Sequence, residues 1–260
     1  MKESQYTITT EPARVAKVLA MITVGLVLLS VLGQGLKFFG GVNRGVDEFY
    51  VDAENNIPTY FASFLLLCAA CLLLLIATWK GRMRDRFFWH WVLLSGLMLL
   101  LSIDEMASLH ERLNRPLRTL LNVEGWFYYA WVIPGFVCVL LFALSYLSFL
   151  RHLPKPFQRL FLLAGTLYCA GVLGVELLGG HYTVLYGRNN FTYSLIATVE
   201  EALELSGSTL LIFTLLRYLH AYVPAIRLQV RARRSREVTD SVPSSTFHPA
   251  PFEPRPNKWI

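Results

Sequence analysis

Apolar residues in this chain run in long unbroken blocks and do not alternate with polar ones. Six blocks, over residues 15–39, 60–79, 87–113, 127–150, 160–182 and 193–221, each reach the ~20 residues that a helix needs to cross the hydrocarbon of a bilayer. A helix pairs all of its own backbone donors and acceptors, which an open strand in lipid does not, so the blocks predict helices. The expected fold is all-α: an integral membrane bundle of six transmembrane helices within residues 1–222. The first block is too long for the apolar core of a signal peptide, and no small-residue cleavage site precedes the polar loop at Gly40. It is read as a retained span.

Lysine and arginine give the bundle a direction. One side collects Lys2, Arg14 and Lys17, then Lys80, Arg82, Arg84 and Arg86, then Arg151, Lys155 and Arg159. Arg227, Arg231, Arg233, Arg234 and Arg236 of the tail fall on that same side. The opposite loops hold Arg44, Arg115, Arg118 and Arg188, and the first of them carries Asp47, Glu48, Asp52 and Glu54. Both termini are therefore expected in the cytoplasm, with the protein a multi-pass component of the cell membrane, the plasma or inner one. Aromatic residues agree: Phe87, Phe88, Trp89 and Trp91 border the basic side, and Trp126, Phe127, Tyr128 and Tyr129 border the outer one. Residues 223–260 turn basic and then rich in Pro and Ser, a composition that buries no core. A disordered tail resting on anionic lipid headgroups is expected there.

Composition narrows the classes further. Only 16% of the residues are charged, against about a quarter in soluble domains, so the lipid bilayer is the expected environment. The net charge of +6 is accounted for by the cytoplasmic loops and tail, and no nucleic-acid partner is expected. Cys68 and Cys71 have redox spacing but lie in an apolar block, where packing explains them. The loop at residues 41–58 is read as solvated and acidic, with a lid or a cation-attracting role as its sharper alternative.

Against this background the acids inside the blocks stand out. Asp104, Glu105 and Glu111 fall in the third, Glu176 in the fifth, and Glu200, Glu201 and Glu204 in the sixth, seven of the eighteen acids in the chain. Ionisable groups in lipid are costly and mark function by default. At 1.5 Å per residue Asp104 lies about 14 Å below its outer end, Glu176 about 10 Å, and Glu200 and Glu204 about 10 and 16 Å. Three helices thus carry acids at one depth of the outer leaflet and are expected to face each other. On a continuous third helix Asp104, Glu105, Ser108, Glu111 and Arg112 form one stripe, with His110 off it on the side of Ile103 and Met106.

So many carboxylates in one low-dielectric pocket must hold protons or a cation. The leading expectation is a divalent metal, Fe, Mn or Zn, held by Asp104, Glu111, Glu176, Glu200 and Glu204 with His110 or His181 supplying nitrogen. Glu105 and Glu201 are then candidates for a catalytic base or for support of the ligands. A metal-dependent enzyme acting on a lipid or an outer-side substrate follows. The Glu-x-x-His of bundle di-iron proteins is absent, since Ser108 follows Glu105 and Glu204 follows Glu201 at that spacing. So is the His-x-x-x-His pair of membrane hydrolases of the alkaline ceramidase type. Two alternatives stay open: proton or cation translocation, against which the inner halves of the spans lack ionisable groups, and a structural or accessory subunit of a membrane complex with polar seams between helices.

Overall fold

The structure, a computed structural model, describes residues 11–42 and 44–223. The expected tail, from 224 onward, lies outside them. Among the described residues the chain is helical throughout, without a strand. Six rods are long and apolar enough to cross a membrane. They are α1 (Pro12–Gly40), α2 (Ile57–Arg82), α3 (Phe88–Ala107), α5 (Val132–His152), the continuous rod Lys155–Tyr186, and α8 (Phe191–Tyr222). The rod is α6 (Lys155–Cys169) and α7 (Glu176–Tyr186) joined by a π-helical segment, Ala170–Val175. A short helix, α4 (Leu109–Leu121), and a 3₁₀ turn, Gly125–Phe127, join α3 to α5.

Local chemistry sets the ends. Asn56 caps α2 by accepting the Thr59 N–H at 3.1 Å, and Asn190 caps α8 by accepting that of Tyr193 at 2.9 Å. α1 stops at Gly41, whose φ of 69° only glycine adopts freely.

α8 is the central helix, packed by α1, α2, the α6–π–α7 rod and, through α2, the α2–α3 pair. Its two halves differ in character. Toward Tyr222 it presents Leu205, Ile212, Leu215 and Tyr218 to a dry core with Leu65, Leu73, Ile76, Trp91, Phe149 and Phe157. Toward Phe191 it presents polar side chains: Ser194 donates to Gln34 Oε1 at 3.3 Å, and Thr198 shares a 3.3 Å hydrogen bond with Ser30. A second polar seam joins α2 to α3, where Ser63 and Ser102 hydroxyls each donate to the other's carbonyl at 2.8 and 2.9 Å. Such pairs hold helices together where lipid supplies no hydrophobic drive. The bundle thus has a dry end, flanked by the Lys80–Asp85 ion pair at 2.7 Å, and a polar end.

Two features depart from the sequence expectation. The third span is not one helix through residue 113: it breaks at Ser108, which adopts φ 47°, ψ 46°. The helix beyond it, α4, has no buried residue, with Leu109, Leu113, Leu120 and Leu121 along one side and Arg112, Arg115 and Arg118 along the other. That is the pattern of a helix lying along an interface. In the fifth span, the π-helical segment widens the backbone immediately before Glu176. The loop at residues 41–56 keeps Asp47, Glu48, Asp52 and Glu54 exposed, as expected of a solvated acidic loop, and is anchored by a few buried residues. Val46 and Val51 are buried, the Val51 N–H donates to Ser30 Oγ at 3.3 Å, and the Asn56 amide spans the Asp47 and Tyr50 carbonyls at 2.9 and 2.6 Å.

Candidate functional site

The break at Ser108 reorganises the acids of the third span. Because α4 starts afresh, its first N–H groups need an acceptor. Asp104, one turn from the end of α3, supplies it: Oδ1 accepts the His110 N–H at 3.0 Å while Oδ2 accepts from His110 Nδ1 at 2.6 Å. The stripe drawn on a continuous helix is therefore corrected beyond residue 107. His110 swings onto Asp104, and Glu111 and Arg112 leave α3 for the exposed start of α4. Burial works against a charged His110 ring, but the hydrogen bond and charge of Asp104, helped by Glu176 and Glu111, outweigh it and raise its pKa.

Trp131 ties this pair to the fifth span. Its ring lies 4.8 Å from that of His110, and its Nε1–H donates to Glu176 Oε1 at 2.8 Å. Glu176 in turn lies beside Glu200 of α8. The close approach has a sequence cause. A Cβ on Gly171 would stand 2.7 Å from the Glu200 carbonyl oxygen and 2.8 Å from Glu204 Cγ, so the π segment rests on α8 only because Gly171 has no side chain. Gly207 does the same one step along, where a Cβ would meet Tyr168 N at 2.8 Å and Ala164 O at 2.9 Å.

One level deeper, Glu105 of α3 faces Glu201 and Glu204 of α8, with Tyr168 of α6 among them. Among the described residues none of Glu105, Glu200, Glu201 and Glu204 receives a hydrogen bond on its carboxylate, and none has an occluded oxygen. These groups are only half-buried, whereas Leu205, Ile212 and Leu215 beyond Glu204 are at most 3% exposed.

At the polar mouth the 41–56 loop adds groups from the first connection. Asp52 accepts the Tyr50 hydroxyl at 3.0 Å. Arg188, in the turn between α7 and α8, lies over the rings of Tyr129 and Tyr193 at 4.8 and 5.9 Å from their centroids. Those two phenols meet at 3.1 Å.

Of the predicted site residues, the structure gathers Asp104, Glu105, His110, Glu176, Glu200, Glu201 and Glu204, and places Glu111 at the rim. His181 it places elsewhere: its ring stacks on Trp126 at 4.2 Å, and its Nδ1 is occluded without a partner. Among the described residues no three His, Cys, Asp or Glu side chains converge as a formed metal-binding group. Sequence reasoning passed over Trp131, for which it offered no signal. It counted Arg188 as a loop charge, although its place five residues before Tyr193 put it at the mouth. A cavity of about 610 Å³ beside Arg118, Glu124 and Tyr128 has none of the predicted site acids in its lining.

No curated protein and no solved structure matches the chain. Residues 15–219, all six spans and the gathered acids included, match the family described as Domain of unknown function (DUF8692), and the chain belongs to that family.

Proposed function

We propose that the protein is a metal-dependent membrane enzyme whose acid-lined chamber opens to the outer side and takes a lipid or an outer-side substrate. The observation that supports this reading is the gathering of half-buried carboxylates from three separate rods, Glu105, Glu176, Glu200, Glu201 and Glu204, next to the buried apolar core. A transporter needs access from both sides, and the apolar plug past Glu204 argues against it. The orientation, polar end outward, rests on the distribution of lysine and arginine.

Oxygen-rich donors with one imidazole suit Mn, Fe or Zn. Asp104, Glu176, Glu200 and Glu204 with His110 are the ligands in this reading, and the ion draws together carboxylates that repel one another without it. When bound, the metal supplies a polarised or activated oxygen. The chain's own residues do the rest. Asp104 holds the His110 ring in one orientation, Trp131 fixes Glu176, and Glu105 or Glu201 takes the proton of the attacking group.

Elemental analysis of protein purified without chelators tests this. Stoichiometric divalent metal in the wild type, lost in Glu200→Gln and Glu204→Gln, is the expected result. Trp131→Phe, which removes the N–H on Glu176, should weaken metal affinity about 10- to 100-fold. Metal-free wild-type protein that also fails to take up Mn, Fe or Zn in titration sinks the reading.

A further inference from the structure

We propose that a second cavity, of about 240 Å³ at the mouth of the chamber, is a binding site for a phosphate group. It lies between α1, the 41–56 loop and the α7–α8 turn, and its polar lining is Gln34, Lys37, Tyr50, Asp52, Arg188 and Ser194.

The lining holds more donors than acceptors. Arg188 has no carboxylate oxygen within ion-pair distance among the described residues, and its guanidinium lies 4.8 Å from the centroid of the Tyr129 ring. Lys37 gives one donor to Asp47 at 3.0 Å and keeps two. Gln34, 2% exposed, receives the Ser194 hydroxyl on Oε1, and its Nε2 has no partner. A buried amide left so is costly. Two cations around one space call for a ligand with several acceptor oxygens, and the fork of Arg188 matches two oxygens of a phosphate.

Asp52 sets a further condition. Its carboxylate forms part of the wall and accepts only from Tyr50. It repels a plain anion but accepts from a hydroxyl or ammonium on the ligand. A phosphate monoanion meets both demands, with bare oxygens for Arg188 and Lys37 and a P–OH for Asp52. An esterified phosphate does so when its alcohol carries the donor. Treating this phosphate as part of a substrate rests on the reading of the chamber as the reacting end; the site itself stands on the cavity.

The test uses the full chain in maltoside micelles, which carry no phosphate, after metal removal. Calorimetric titration with inorganic phosphate should show saturable binding, weakened about tenfold or more by Arg188→Gln and by Lys37→Gln, and unchanged by Glu204→Gln. If Arg188→Gln does not fold, Lys37→Gln and Arg188→Lys carry the measurement. A second arm repeats the titration in nanodiscs of phosphatidylcholine with and without phosphatidic acid. Phosphate binding suppressed by phosphatidic acid identifies a lipid headgroup as the occupant; binding unaffected by it identifies a soluble phosphate. No saturable binding in micelles, or equal binding in wild type, Arg188→Gln and Lys37→Gln, overturns the site. Metal uptake by the wild type keeps the two readings apart: protein that takes up metal but binds no phosphate overturns this site alone, and protein that binds phosphate but takes up no metal overturns only the metal reading.

Discussion

Ser108 decides the geometry of the third span, because a single left-handed residue turns α3 into α4 and delivers His110 to Asp104. Left-handed backbone costs a non-glycine residue about 1–2 kcal/mol. Ser108→Gly should therefore be neutral or stabilising by up to about 1 kcal/mol in thermal melts. In a continuous helix the same change would cost about 1 kcal/mol, so the sign of the shift tests the break.

Elements meet here through missing side chains. Gly171 and Gly207 let the α6–π–α7 rod seat on α8, with backbone atoms of the partner within 2.9 Å of where a Cβ would stand. Gly171→Ala and Gly207→Ala each force the rods apart and should cost about 1–3 kcal/mol of stability in a detergent melt. Gly165→Ala, on the same rod with open space beside it, should be neutral or stabilising, by up to about 1 kcal/mol. Equal effects at all three positions would mean that the rods do not meet as described. The six rods themselves were legible because each is an apolar run of spanning length, and helical rise alone set Glu176 and Glu200 at one level, where they lie beside each other. The break at Ser108 was not, since no Gly or Pro marks it and the polar stripe continues past it. Nor was the π segment: hydropathy records which residues are apolar, whereas the widened turn comes from the contact of Gly171 with α8. The 41–56 loop was legible in its exposed acids but not in its anchors, because the two valines and Asn56 are too few to register as a pattern.

For the whole molecule, the two halves of α8 make opposite demands, and both are met by where charge is left out. The dry end packs Trp91, Leu205, Ile212 and Leu215 with no ionisable group among them, and the flanking Lys80–Asp85 pair sits beyond it. There burial alone would raise the Asp85 carboxyl, but the hydrogen bonds from Lys80 and the Phe87 N–H, with the Lys80 charge, hold it below its usual range. The polar end concentrates half-buried carboxylates. The proposed function has them reached from one side only, and that sidedness is measurable. In a background with Cys68, Cys71, Cys138 and Cys169 replaced by Ala, Glu201→Cys places a thiol in the chamber and Leu215→Cys places one in the plug. An impermeant thiol reagent should label the first from the outer face of oriented vesicles and from that face alone, and the second from neither. Equal labelling of Glu201→Cys from both faces would open the plug and restore translocation; labelling from the cytoplasmic face alone would keep the closed chamber and reverse the orientation that lysine and arginine imply.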